Sequence, residues 1–206
     1  MAGEITALKV QRRNKDRVSI YLDGEYAFSL KTIVAASLGR GDHLSDERIK
    51  DLQMEDSFEK AYDRALNYLS YRPRSSAEMS RYLRGKDVPS GVSEEVLQRL
   101  SAAGLLDDLA FAQYWVENRE TFKPRGHRLL RQELRQKGIS DELIAEALDE
   151  VDEEKSAYQA ALKQASRYAG LDDEIFRQKM QNFLSRRGFN YGVITETICR
   201  LRQGGE

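Results

Sequence analysis

The chain has little of what most enzymes and secreted proteins display. Its single cysteine, Cys199, cannot close an internal disulfide, and one unpaired thiol fits a reducing compartment. No run of 18 apolar residues occurs, so no segment reads as a membrane span. The start, "MAGEITALKV", has no basic-then-apolar signal pattern, and a cytoplasmic location is expected. Histidine is nearly absent. His43 and His127 stand 84 residues apart with no cysteines at ligand spacing, which argues against a zinc site. "GKDVPSG" lacks the spacing and the Lys-Ser/Thr ending of a phosphate-binding loop. Carboxylates abound, yet none sits in a recognisable catalytic frame. No catalytic, metal or cofactor residue is therefore expected.

What the chain does have is charge. Charged residues make up 33 % of it, and the net charge is only −1. Arginine outnumbers lysine 22 to 11, and arginine is the better bidentate partner for phosphate or carboxylate. The charge is unevenly placed. "KPRGHRLLRQELRQKGI" (123–139) carries six bases, Lys123, Arg125, Arg128, Arg131, Arg135 and Lys137, against one acid, Glu133. Eight carboxylates then follow between Asp141 and Glu154, read as one acidic helix with no base in it.

The first thirty residues read as strands. "RVSIYL" and "EYAFSL" alternate, placing Val18, Ile20, Leu22, Tyr26, Phe28 and Leu30 on one face. Asp23-Gly24 between them is a two-residue hairpin turn. "ITALKVQ" adds a third strand through an Asn14–Asp16 turn. Short helices at 32–38 and 46–54, separated by "GRGDHLS", would cover the apolar face of this meander.

From Phe58 onward the pattern is helical and repeats. "MSRYLRGKDV" (79–88), "LRQELRQKGI" (130–139) and "MQNFLSRRGF" (180–189) align at Met79, Leu130, Met180; at Leu83, Leu134, Leu184; and at Val88, Ile139, Phe189. Each is preceded by a helical stretch ("FEKAYDRALNYLSY", "LAFAQYWVENRETF", "SAYQAALKQASRY") and followed by another. The followers place Val96, Leu143 and Val193 in register after a four-residue insertion, "PSGV", in the first copy. The expected fold is mainly α: three tandem three-helix repeats forming an elongated, curved body, with a small N-terminal β-meander and short helices. The expected boundaries are an extension over 1–57 and repeats over 58–106, 107–152 and 153–206.

At 100° per residue, Arg128, Arg131 and Arg135 form one stripe, with Leu130 and Leu134 roughly opposite. Arg81, Arg84 and Lys86 occupy the matching helix of the first repeat, each helix being preceded by a Pro-Arg pair, Pro73-Arg74 and Pro124-Arg125. Ser75 or Ser76, with Glu78 in reach, gives the first of these helices its cap. The bland reading of such a stripe is a solvated helix face. Its recurrence, and the displacement of the neutralising acids to another segment, favour a charged partner instead. Trp115, Tyr62, Tyr68 and Tyr82 read as packing residues, with base stacking the lesser alternative.

"YLSYRPRSSAEMSRYLRGK", "GLLDDLAFAQYWVENR", "KPRGHRLLRQELRQKGI" and "FLSRRGFNYGVI", in that order, resemble the landmarks of the RecX family of bacterial recombination regulators. "IYLDGEYAFSL" and "SLGRGDHLS" resemble the β-containing extension of some members. The resemblance implies three tandem three-helix units. It also implies binding to the RecA recombinase and the groove of its filament on single-stranded DNA, and inhibition of filament growth without catalysis, in recombination, DNA repair and the SOS response. A monomer is expected. The third repeat departs from the pattern, since "LDDEIFRQKM" has no Pro-Arg pair; Arg186 and Arg187 are its contact candidates. With Arg72 and Arg74 these complete the candidate contact set, which rests on charge geometry. The rival reading is a direct DNA-binding protein using helix-turn-helix-like units.

Overall fold

The structure, a computed structural model, describes residues 2–203. The chain forms two compact units, one built from the residues up to 72 with 79–105, the other from 73–78 with the residues from 106 onward.

In the first unit, β1 (Gly3–Val10), β2 (Arg17–Leu22) and β3 (Glu25–Lys31) form the antiparallel meander that the alternation predicts. Asp23 and Gly24 both take positive φ, 49° and 90°, matching the twist of the hairpin they connect. Two features differ from the expectation. Ile20 pairs with Phe28 but Tyr21 pairs with Tyr26, so Ala27 is an extra residue. This bulge turns Tyr26 off the core face, where its ring meets Tyr21 edge-on at 6.0 Å. Strand structure also extends beyond the first thirty residues. β4 (His43–Leu44) pairs with β1, giving the order β3-β2-β1-β4. Two residues are too few to show an alternation, but Leu44 is buried and joins the core with Ile5, Ile20, Leu30 and Leu52.

Helix α1 (Thr32–Ala35) is followed by one long helix, α2 (Asp46–Leu69), where two separate helices were expected. No glycine or proline lies between residues 46 and 69 to break it. Asp56, in the middle, is buried because the sheet uses it. It accepts from the Arg17 guanidinium at 3.0 Å and from the Lys31 N–H at 2.6 Å. Ser45 caps the helix by accepting from the Arg48 N–H at 3.1 Å.

The remaining elements are α3 (Ser76–Arg84), α4 (Ser90–Ala102), α5 (Asp108–Phe122), α6 (His127–Gln136), α7 (Asp141–Leu148), α8 (Glu153–Tyr168), α9 (Asp173–Arg186) and α10 (Tyr191–Gln203). The repeat anchors hold. Met79, Leu130, Met180, Leu83, Leu134 and Leu184 are all inaccessible to solvent. The third helices need a correction of one residue. Leu143 and Val193 are only half-buried, whereas Val96, Ile144 and Ile194 are buried. The insertion in the first copy is thus three residues long, and it forms an early turn of α4 behind Pro89 rather than a loop. The acidic stretch is likewise two helices, not one. Asp141 and Glu142 occupy the first turn of α7, Glu153 and Glu154 that of α8, where carboxylates meet the positive end of the helix dipole.

Each middle helix ends in the same way. The amides of Val88, Ile139 and Phe189 bond back to the carbonyls of Leu83, Leu134 and Leu184 at 3.2, 3.1 and 3.3 Å. The residues just before them, Asp87, Gly138 and Gly188, take left-handed φ of 56°, 82° and 87°. Within the second unit these ends abut the start of the preceding middle helix. The Gly126 N–H, at the start of α6, donates to the Arg187 carbonyl at the end of α9, 2.9 Å away. The Ser75 hydroxyl, at the start of α3, donates at 2.6 Å to the Lys137 carbonyl at the end of α6, while accepting from the Glu78 N–H at 3.1 Å. The glycines are required there. A Cβ on Gly138 would strike Ala77, and one on Gly188 would strike Leu129.

Candidate functional site

The basic segment divides into residues that join helices and residues that face outward. Arg125 belongs to the first group. With Arg119 it converges on Glu133, which lies on the inner side of α6 and is buried. The Trp115 indole N–H donates to the same carboxylate at 2.8 Å, and Arg119 lies over the indole ring, 4.2 Å from its centroid. Sequence reasoning missed Arg119. Its signal was the one-turn spacing from Trp115, which places both on the face that meets Glu133. Lys137 is half-buried, paired with Glu78 at 2.7 Å and set 4.8 Å from the Trp115 centroid. Arg187 donates to the Pro124 carbonyl at 3.0 Å and lies 4.6 Å from the Phe183 centroid. Burial lowers the pKa of Arg119, Arg125 and Arg187, and for Arg125 the nearby charges of Arg119 and Arg187 lower it further. All three remain cationic at neutral pH, so this joint concentrates positive charge beside one carboxylate.

The outward group contains Lys123, Arg128, Arg131, Arg135 and Arg186, all exposed. Arg128, Arg131 and Arg135 share one face of α6 as the helical wheel predicts, because Leu130 and Leu134 fix the opposite face in the core. Arg128 reaches the Ser185 carbonyl at 3.2 Å, which brings it to the end of α9 where Arg186 stands. Arg135 pairs with Asp141 at 2.7 Å in a fully exposed ion pair. That hydrogen bond raises the pKa of Arg135 and lowers that of Asp141. Arg81 and Arg84 on α3 and Lys86 just past its end are exposed, with Lys86 lying 5.8 Å from the Tyr82 centroid. Arg72 and Arg74, in the loop before α3, are half-buried.

The aromatics first read as packing residues do pack. Tyr68 and Tyr82 stack with centroids 4.0 Å apart and planes 5° apart. Phe58 and Tyr62 stack at 6.0 Å, with Arg99 against both rings.

Concave surface has the opposite character. In the first unit, a groove of about 1020 Å³ is lined by apolar Ile33, Val34, Met54, Phe58 and Val92, and by Asp51, Glu55, Glu59 and Glu95 against a single base, Lys50. In the second unit, a hollow of about 770 Å³ is lined by Glu117, Glu146, Asp149 and Glu150. Neither suits a phosphate. The exposed arginines lie outside both, on helix faces that can meet an extended partner but cannot enclose a small molecule. Among the described residues, no His/Cys/Asp/Glu group could hold a metal ion, and no helix is long and apolar enough to cross a membrane.

Comparison with known proteins agrees with this architecture domain by domain. Residues 3–45 match the family model described as the regulatory protein RecX N-terminal domain. Residues 61–100, 107–148 and 152–198 match those of the first, second and third three-helix domains of RecX. The regulatory protein RecX of Bacillus subtilis is 35 % identical over 202 residues, covering 96 % of this chain and 76 % of the relative. That of Bacillus pumilus is 31 % identical over 207 residues, covering 98 % and 79 %. A crystal structure of a regulatory protein RecX superposes with a TM-score of 0.77 at 33 % identity, over 94 % of this chain and 97 % of the other. The structure of RecX from Lactobacillus salivarius gives 0.66 at 28 % identity, over 72 % and 99 %. With its β extension and all three helical repeats matched in order, the chain belongs to the RecX family of regulatory proteins.

Proposed function

We propose that the protein is a non-catalytic regulator of the RecA recombinase. It seats on the nucleoprotein filament that RecA forms on single-stranded DNA and inhibits filament growth. It acts in the cytoplasm, as a monomer and without a cofactor, within recombination and DNA repair. The observation that carries this reading is the outward face of α6 and the end of α9, where Arg128, Arg131 and Arg186 stand exposed beside a joint that is itself electropositive. Acidic protein surface and phosphate together suit such a face. The carboxylates of α7 and the α8 start close by make bare DNA alone a poorer match.

The test is RecA ATPase activity on single-stranded DNA with increasing amounts of this protein. Inhibition below one-to-one stoichiometry is expected, because blocking growth at filament ends takes few molecules. Inhibition that appears only once the protein can coat all the DNA would support simple competition for DNA and overturn the reading. Changing Arg128, Arg131 and Arg135 together to Gln should leave folding within roughly 0.5 kcal/mol per site, since the positions are exposed. The same change should abolish most of the inhibition. A folded triple variant that inhibits normally would return the stripe to a solvated surface.

A further inference from the structure

Two of the most exposed large apolar side chains occupy the same position in successive repeats. Tyr71 is 76 % exposed and Phe122 is 74 % exposed. Tyr71 stands two residues past the end of α2 and Phe122 is the last residue of α5, each at the entry to the loop that leads to the middle helix, in "YRPR" (71–74) and "FKPR" (122–125). A cation follows each ring directly, half-buried Arg72 in one case and exposed Lys123 in the other. A proline then stiffens each loop.

Neither ring belongs to a buried core. The second unit's core is built from Phe111, Val116, Leu130, Leu134 and Ile144 without Phe122. The third repeat, which has no aromatic between Tyr168 and Phe176, folds around its own core all the same. Leaving a large apolar ring in water twice at one repeat position serves binding better than stability.

We propose that Tyr71 and Phe122 are stacking platforms for the bases of single-stranded DNA, with the exposed Lys123 beside Phe122 on the adjoining phosphate. Three observations select this ligand over a protein surface. An aromatic face next to a base matches the two parts of a nucleotide, and stacking on any base tolerates sequence. An exposed ring recurs at the same repeat position, as suits a polymer that presents one chemical group repeatedly. On the Pro124 side of Phe122 the charge is positive, since Arg187 bonds to the Pro124 carbonyl and Arg119 and Arg125 share Glu133, whereas on the Thr121 side lies a hollow with Glu150, Asp152 and Lys155. The nearby Glu120 is turned inward to the Ser156 hydroxyl, and Glu153 is engaged by the His127 N–H. The inference concerns the DNA component of the filament reading, and its test needs no recombinase.

A fluorescein-labelled dT oligonucleotide of about 15 nucleotides, within the range one such surface can hold, is titrated with the full chain and followed by anisotropy. Tyr71→Ala and Phe122→Ala should each weaken binding roughly five- to a hundred-fold, the range typical of a lost base stack. The dependence of affinity on salt should stay the same, because no phosphate contact is removed. Lys123→Gln should flatten that dependence. Phe122→Leu should behave like the alanine variant, since it keeps apolar area and loses the π face. Phe122→Trp should bind normally, and its added indole fluorescence should be quenched by dT. Binding unchanged by the alanine variants, or full binding by Phe122→Leu, overturns the stacking role. So does failure of the unaltered chain to bind dT, and that result leaves the sub-stoichiometric ATPase test to stand or fall separately. Variants that lose affinity only for DNA-free recombinase would make the rings a protein contact, which also overturns the inference.

Discussion

Substituting Gly126 by alanine isolates the joint between α6 and α9. Gly126 has φ −72° and ψ 158°, a conformation that alanine adopts freely, so backbone strain contributes nothing. The obstacle is space. A Cβ there would fall on the carbonyl group of Gly188 and the amide nitrogen of Phe189, backbone atoms that cannot rotate aside. Relief requires the end of α9 to withdraw from the start of α6. That withdrawal breaks the 2.9 Å bond from the Gly126 N–H to the Arg187 carbonyl and the 3.0 Å bond from the Arg187 guanidinium to the Pro124 carbonyl. Overpacking costs about 1–3 kcal/mol, and each lost hydrogen bond adds about 1 kcal/mol, so the joint should lose about 3–5 kcal/mol. Two glycines serve as controls with open space at the Cβ position. Gly104 has φ 66°, and Gly104→Ala should cost only about 1–2 kcal/mol of left-handed strain. Gly170→Ala should be neutral or slightly stabilising. Repeat arrays lose cooperativity when a joint weakens, so urea midpoints are best combined with amide hydrogen exchange. In Gly126→Ala, the amides of Arg187, Gly188 and Phe189 should lose protection while those inside α5 and α7 keep it. A Gly126→Ala variant no less stable than Gly104→Ala would refute the argument that backbone contact at this position couples the repeats.

Three further expectations follow from neighbouring contacts. Glu133→Ala leaves Arg119 and Arg125 partly buried without their carboxylate and Trp115 without its acceptor; a loss of about 3–5 kcal/mol and a red-shifted Trp115 emission are expected. The folded-state pKa of Asp141 is lowered chiefly by the hydrogen bond from Arg135, so this pair stabilises the fold above the ordinary aspartate pKa of 3.8 and ceases to as pH falls through the lowered value. An NMR titration of the Asp141 carboxyl should show that lowered midpoint and its return towards 3.8 in Arg135→Gln. Asp87 holds a left-handed φ of 56° where the other repeats use glycine, so Asp87→Gly should raise the unfolding free energy by about 1 kcal/mol, seen as a higher denaturation midpoint, and Asp87→Val should lower both.

Sequence legibility varied with the length of the pattern. The hairpin and the three middle helices were readable because Asp23-Gly24 and the Leu83, Leu134, Leu184 series each impose a period on many residues. β4 was not, since a strand of two residues has no period. The one-residue error at Leu143 and Val193 arose because "SEEV", "SDEL" and "NYGV" align well as letters. In the structure, Ser140 and Asn190 are caps, accepting from the Leu143 and Val193 N–H groups, whereas Ser93 lies inside α4, whose cap is Pro89. Burial follows the helix start, not the letters. At the candidate surface, the wheel placed Arg128, Arg131 and Arg135 correctly on one face of α6. It could not show that Arg125, Lys137 and Arg187 find intramolecular partners, because those partners lie 8 residues away at Glu133 in one case and in another repeat in the others.

The uneven placement of charge has two causes, and the helix ends account for the first. At the ends of the middle helices stand Lys86, Lys137 and Arg187, cations at the negative pole of the dipole, each also against an aromatic ring. At the starts of α7 and α8 stand Asp141, Glu142, Glu153 and Glu154, at the positive pole. Since a middle helix ends just before a third helix begins, bases and acids fall into consecutive blocks without any partner being involved. This explains Lys137 and half of the acidic block. Arg128 and Arg131 are different: Arg128 stands in the first turn of α6, at the positive pole where the dipole disfavours a cation, Arg131 lies in mid-helix, and both are exposed. Charge that serves the fold is thus concentrated at helix ends and where repeats join, and the outer face of α6 carries more positive charge than the Arg128–Ser185 and Arg135–Asp141 contacts account for. The partner reading rests on that remainder, a smaller set than the six bases of the segment, and it is the set against which binding should be measured.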